Sequence, residues 1–426
     1  MIPDRPATEE ELLDSIKRNV CGRNKDLAYL IKIINYAIHN NGIIALDGEW
    51  GSGKTYLIRQ LELLWKRNDN LLSNEAITSD DMKNLRNRLV PFYYNAWEND
   101  YSTDASQSLL MALSESLLEN KNIIEKSERK LMQSVDIKSF IENKTSGLIN
   151  LNNTESGKKV SEYAPEVNRA KKLRKIISEM IDEKLQLKDD CKILFIIDDL
   201  DRCKPSYAIN VIEAIKNCFN NDSIVFLVAT NFSELGNIVK GYYGGFIDGH
   251  RYLDRIFDLK IRINDINQEN YIRYRKPGLE SYAIKNIASG FKLNMRELNR
   301  LLNIVSLYES YLENSYIVMH DQVFHNICRY IFMPMFLGYK IKDYSVYEKM
   351  TSGNGYSFIS GYLDKDKEMR GYAIRLSEAS PDDAKNINAI IEKYYEKLFS
   401  DDRADKIDAN QSFWNVLNLM SSSLDL

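Results

Sequence analysis

The 426-residue sequence predicts an α/β fold in which helices wrap both faces of a parallel sheet. Three observations predict it. Short apolar runs, "IIALDG", "KILFIIDDLD" and "SIVFLVATN", read as buried strands. Helical patterns separate them, as parallel strands require. A glycine-rich turn, "GEWGSGKT", lies between the first of these strands and a helix.

Each element has its own local signal. Thr8-x-x-Glu11 fits a capping box that opens a first helix. In "DLAYLIKIINYAIHN", Leu27, Leu30, Ile31, Ile34 and Ala37 share a helical face. Asn40-Asn41-Gly42 then punctuates before the strand "IIALDG", and "TYLIRQLELLWKR" continues as a helix after the glycine turn. A strand is expected over Leu89–Asn99, "LVPFYYNAWEN". From about Tyr101 to Asp190 the pattern is mostly helical, with a polar Asn- and Gly-rich middle that reads as a loop. Leu173, Ile176, Ile177, Met180 and Ile181 form one helical face there. "YAINVIEAIKNCF" is the helix between the two most apolar strands, and "FDLKIRI" is a fifth, weaker strand. Helical periodicity resumes from Asn270, where Leu298, Leu301, Leu302 and Val305 share a face; the Tyr-rich C-terminal third has no clear pattern.

Composition narrows the function classes. A net charge of -4 and a pI near 5.8 supply no overall pull toward nucleic acid. The five cysteines form no CxxC pair, which favours a reduced, cytoplasmic protein without a disulfide frame or zinc knuckle. The N-terminus lacks the apolar core of a secretory signal. The longest apolar runs fall short of the roughly 18 residues that a membrane span needs.

The glycine turn matches a phosphate-binding loop at every defined position: Gly48-x-x-x-x-Gly53-Lys54-Thr55. Glycines let successive N–H groups curl toward phosphate oxygens, and the following helix adds its positive end. Gly48, Glu49, Trp50, Gly51, Ser52, Gly53, Lys54 and Thr55 are the nucleotide-binding candidates. Lys54 would reach the β- and γ-phosphates, and the Thr55 hydroxyl would ligate Mg²⁺. The strand "ILFIIDD" ends in two carboxylates that burial penalises unless a cation neutralises them. Asp198 is the metal candidate, directly or through water. Asp199 is the candidate to polarise the attacking water. Asn231 or Thr230, closing "FLVATN", could orient that water, although Asn231 could equally cap the next helix. No NKxD-like guanine signal follows a strand, so ATP is the expected nucleotide.

The strand "PFYYNAWEN", placed between the loop strand and the acidic strand, resembles the additional-strand (ASCE) branch of P-loop NTPases, which implies sheet order 5-1-4-3-2. More specifically, "GEWGSGKT", "YYNAWEN", "IIDDLDRC" and "RYLDRIF", with the lead-in "GRNKDLAYLI", resemble the KAP family of P-loop NTPases. The resemblance spans roughly Pro3 to Asn303. It implies a role in the helical lid for Arg296, as a γ-phosphate sensor. It also implies kinship with signal-transducing ATPases with numerous domains, hence an ATP-driven switch that forms a homo-oligomer, and a setting in bacterial defence against phage. Many members carry membrane-spanning helices between the two phosphate motifs, where this chain has a charged helical segment. The implied organisation is residues 1–100 for the N-terminal helices and first half of the core, 101–190 for a helical insertion, and 191–265 for the second half. Residues 266–310 would form the lid and 311–426 a C-terminal helical domain.

Other residues carry blander readings. Lys171, Lys172, Arg174 and Lys175 read as a solvated helix face rather than a nucleic-acid site. Arg251 and Arg255, four apart, are expected to share a helix face from which one could reach a neighbour's ATP. Arg202 could pair with Asp199 or Asp201. His320 and His325 are five apart and do not face one another, and Cys203 lacks a histidine to activate it. No nuclease, protease or membrane module is visible, so any toxic output is expected in a separate effector protein. The competing functions are a nucleotide-gated scaffold with little turnover and a DNA-stimulated translocase; the acidic pI counts against the latter.

Overall fold

The computed structural model describes residues 7–40, 42–67, 72, 77–119, 164–179, 191–219, 221–276, 278–314, 322–399 and 414. Met180, Ile181, His320 and the polar loop within 101–190 lie outside the described residues. The chain divides into two compact units. One comprises Thr8–Asn19 and Arg23–Asp265, and the other Met1–Ala7, Val20–Gly22 and Ile266–Leu426.

The first unit holds a five-stranded sheet: β1 (Ile43–Asp47), β2 (Leu89–Asn95), β3 (Lys192–Asp198), β4 (Ile224–Thr230) and β5 (Leu259–Arg262). Every pairing is parallel, and the order is β2-β3-β4-β1-β5, the expected 5-1-4-3-2 read from the other edge. The two most apolar runs explain the layout. β4 is buried at all seven positions and β3 at all but the first, so both need cover on both faces. Ile193, Phe195 and Ile197 of β3 join one core with α5 (Ala105–Glu119), α6 (Ala164–Glu179) and α7 (Pro205–Asn217). Leu194 and Ile196 point the other way and are equally buried. Of α1 (Glu9–Arg18), α2 (Asn24–Asn40), α3 (Lys54–Lys66) and α4 (Ser79–Arg88), α1 packs on α3, α2 on α3 and α4, α3 touches β4, and α4 touches β2.

Local chemistry sets the ends of these elements. The Thr8 capping box forms as read, and an unforeseen second one, Thr78 with Asp81, opens α4. The strand expected to reach Asn99 stops at Asn95. There the Asn95 side chain accepts from the N–H groups of Trp97 and Glu98, which turns the chain into a short 3₁₀ turn, Trp97–Asn99. Asn231 caps α8 (Phe232–Tyr243), which is followed by the five-residue α9 (Gly249–Leu253). Arg255 lies beyond the end of α9, so the expectation that it shares a helix face with Arg251 is corrected: Asp254 already caps that helix. Lys171, Lys172, Arg174 and Lys175 are exposed on α6, as a solvated face requires.

The second unit is all-helical among the described residues, including the C-terminal third. It contains α10 (Gln268–Arg275), α11 (Leu279–Gly290), α12 (Met295–Asn314), α13 (Gln322–Ile327), α14 (Met333–Lys342), α15 (Tyr344–Thr351), α16 (Tyr356–Lys365), α17 (Lys367–Leu376) and α18 (Ile387–Lys397). Residues from Ile272 to Leu398 share one hydrophobic core, with Leu298, Leu301, Leu302 and Val305 inside it. A π-helical stretch, Cys328–Phe332, precedes Pro334. Proline removes one backbone donor and crowds the preceding turn, and the wider turn accommodates both.

Phe195 anchors the first core. Its ring meets Phe92 at 4.3 Å, Phe226 at 5.3 Å and Phe219 at 5.7 Å between centroids. Phe195→Ala should lower the unfolding free energy by about 3–5 kcal/mol in denaturant titration; a loss below about 1 kcal/mol would show that this cluster does not hold the sheet together.

Candidate functional site

The glycine turn occupies the C-terminal end of β1. Gly51 and Gly53 have φ of 78° and 88°, a left-handed conformation that costs other residues more, and this curls the loop before α3. The first N–H groups of α3 have no partner within the helix. Lys54 is 7% exposed, and its Nζ donates to Gly48 O at 2.6 Å and Glu49 O at 3.2 Å. Beneath the loop, Arg23 is buried and donates to Ser52 O at 2.6 Å and to Asp26 at 2.7 Å. This brace was missed in the sequence, because nothing local announces a contact 29 residues away.

The acidic turn lies two strands over, at the same end of the sheet. Asp198 is fully buried: Tyr93 donates its hydroxyl to Oδ2 at 3.2 Å, and the Asp199 N–H donates to Oδ1 at 2.9 Å. Burial, and next the Asp198 charge, raise the Tyr93 pKa, which keeps it a donor. Asp199 adopts φ 56°, an uncommon left-handed backbone that aspartate tolerates better than most. Its carboxylate pairs with Arg202 at 3.1 Å, and Arg202 in turn lies over the Trp97 ring at 5.7 Å. Burial, followed by the Asp198 charge, pushes the Asp199 pKa up to about 6. Asp201 is 5% exposed and accepts from the Trp50 indole N–H.

That last contact joins loop and turn. Burial lowers the Lys54 pKa, against the opposing pull of Asp201, Asp198 and Asp199, in descending order. Asp198, Asp199 and Asp201, all buried, therefore act together on Lys54, while Arg202 pairs with Asp199. Ser52 Oγ, Thr230 Oγ1 and Asp201 Oδ1 are buried without hydrogen-bond partners. Among the described residues, no group of three His, Cys, Asp or Glu side chains could hold a metal ion by itself. Oxygen donors in net negative surroundings suit Mg²⁺, which keeps several waters and takes one or two carboxylates plus phosphate oxygens. The buried oxygen donors fit it on those terms.

The family comparison decides the lineage. A model of the KAP family P-loop domain matches residues 23–312, about two thirds of the chain. The chain belongs to the KAP family. No curated protein matches it. Membership makes the loop a nucleotide-binding element of a P-loop NTPase. No described helix is long and apolar enough to cross a membrane.

Other candidates fall as follows in this KAP protein. Asn231 Oδ1 accepts from the N–H groups of Ser233 and Glu234, so its side chain serves as the cap of α8. Thr230 is fully buried beside Asp47, its register partner on β1. Arg296 belongs to the helical unit, one residue into α12. Burial pushes the Cys203 thiol up to about 12, so no thiolate is available at neutral pH. Tyr93, Trp97 and Asp201 acquire roles that sequence reasoning did not assign. The signals were available: a hydroxyl on the less buried face of β2, and a third aspartate in "DDLD".

The raised Asp199 pKa has a stability consequence. The folded chain holds that proton more tightly than the unfolded chain, so the proton's contribution is complete below the ordinary value of 3.8 and is lost as pH rises through about 6. Without metal or nucleotide, Asp199→Asn should therefore melt higher than wild type at pH 7.5. The gap should shrink toward pH 5 in a thermal-shift series; a gap independent of pH would show that Asp199 titrates normally.

Proposed function

We propose that this KAP protein is a magnesium-dependent ATPase that works as a molecular switch. The observation that carries the reading is the hydrogen bond that joins the glycine loop, in which Lys54 is seated, to an acidic turn with three buried carboxylates. Lys54 would exchange its two loop carbonyls for β- and γ-phosphate oxygens, a short movement for a flexible side chain. Thr55 and Asp198 would hold Mg²⁺, with Tyr93 fixing the Asp198 rotamer. When bound, the metal supplies charge neutralisation along the phosphates. Asp199, with its pKa near 6, is a better proton acceptor at neutral pH than an ordinary aspartate and still ionised there. Asn231 would orient the attacking water through its amide nitrogen.

In this reading ATP binding changes the assembly state and hydrolysis resets it. Family resemblance supports a cytoplasmic homo-oligomer serving bacterial anti-phage defence, with the toxic step delegated to a separate effector. One observation favours a second reading. Asp199 is held by Arg202, which would slow water activation and make the protein a nucleotide-gated scaffold with little turnover.

Turnover and assembly mass separate the two. Lys54→Ala should weaken ATP binding by roughly ten- to a hundredfold, through loss of a charge-assisted contact. Asp199→Asn should bind ATP, stall, and accumulate the assembled form. Equal slow turnover in wild type and both variants would favour the scaffold, and steep salt-sensitive stimulation by DNA would revive a translocase.

A further inference from the structure

Phosphate binding by itself does not require a tryptophan in the loop. Trp50 is 50% exposed, so core packing does not explain it either. Its indole N–H donates to Asp201 Oδ2, 151 residues downstream in the 3₁₀ turn Leu200–Arg202 that follows β3. Among the described residues this is the one hydrogen bond that joins the loop Gly48–Thr55 to the turn Asp198–Arg202.

Asp201 is unusual at its other end. Oδ1 is buried and accepts no hydrogen bond, although the residue is 95% buried. Leaving a buried carboxylate oxygen without a donor destabilises a fold, a cost that the structure around Asp201 Oδ1 does not offset. Asp201 also acts on Lys54 more strongly than either Asp198 or Asp199 does. One oxygen is thus anchored to the loop, and the other awaits a donor beside the phosphate-binding lysine.

We propose that Trp50 and Asp201 form a clasp that holds the phosphate loop in register with the acidic turn, and that both are positioning residues for magnesium nucleotide. The proposal rests on reading this site as an ATP pocket. Trp50 contributes the donor that keeps the bend of the loop against the turn. Asp201 contributes charge, with Oδ1 placed to accept from a donor that arrives with the ligand, such as a water on the divalent cation. Because the clasp spans the two motifs, a shift of the loop on nucleotide binding is passed to the turn that carries Asp198 and Asp199. Loop occupancy and carboxylate geometry then share one coupling energy.

Equilibrium binding of a fluorescent ATP analogue to the full chain tests this, with and without Mg²⁺, alongside melting temperatures. Trp50→Phe keeps the ring and removes the donor; it should lower magnesium-nucleotide affinity by about tenfold. Asp201→Ala should lower it at least as much, and the double variant should bind no worse than Asp201→Ala, because both changes cut the same contact. Asp201→Asn retains an acceptor for the indole. It should restore affinity for the metal-free nucleotide while losing most of the gain that Mg²⁺ confers on wild type. Magnesium ATP should also shift tryptophan emission more in wild type than in Trp50→Phe, which keeps Trp97 beside Arg202. Should Asp201→Ala fail to fold, Trp50→Phe and Asp201→Asn carry the test together. Wild-type binding with Trp50→Phe unchanged, additive losses in the double variant, or an Asn variant no better than Ala would each overturn the clasp and leave the ATP reading standing. Failure of the wild-type chain to bind any adenine nucleotide would sink both.

Discussion

Three carboxylates buried at the end of one parallel strand set the terms for the site. Charge in such surroundings is costly unless it is paired, hydrogen-bonded or neutralised by a cation. Asp198 receives the Tyr93 hydroxyl and the Asp199 N–H, Asp199 the Arg202 guanidinium, and Asp201 the Trp50 indole. Three carboxylates outnumber Lys54 and Arg202 here, an imbalance that a divalent metal would relieve. An acidic turn that was electrostatically satisfied by protein alone would have little affinity to offer.

The aromatic residues of the family's motifs follow from that constraint. Tyr93 reaches Asp198 from β2, and Trp97 lies over Arg202, which holds Asp199. Trp50 comes from the phosphate loop itself. Three motifs far apart in the chain therefore surround one turn, each supplying a group with a polar edge or a cation-binding face and an apolar body. On the opposite side of the loop, Arg23 braces the Ser52 carbonyl. The loop is held from below by a guanidinium and from the side by an indole, so its shape is specified before a nucleotide arrives.

Much of this was legible along the chain. The near-continuous apolar runs of β3 and β4 announced strands covered on both faces, and both are buried almost throughout. The Thr8 capping box and the apolar face of α2 were local patterns with local causes. Less was visible where a side chain redirects the backbone. Asn95 ended β2 early by accepting two N–H groups; α9 likewise stops short of Arg255. The Tyr-rich C-terminal third resisted reading because its helices are short and share one core. Tyr395, for example, is buried by contacts with Phe332, Phe336, Tyr356 and Phe399 rather than by a clean stripe on its own helix.

The strand order came with the family resemblance; from residue patterns alone came the glycine loop with its lysine and threonine, the acidic strand end, and a parallel sheet. Those properties depend on residue type and on spacings of a few positions, which backbone sterics and periodicity translate directly. Only the tertiary structure decided which partner each carboxylate received, because Trp50 and Asp201, or Tyr93 and Asp198, are more than a hundred residues apart. Their meeting depends on how β3 is inserted between β2 and β4, and a one-residue slip in that pairing would turn every side chain of the strand to the opposite face.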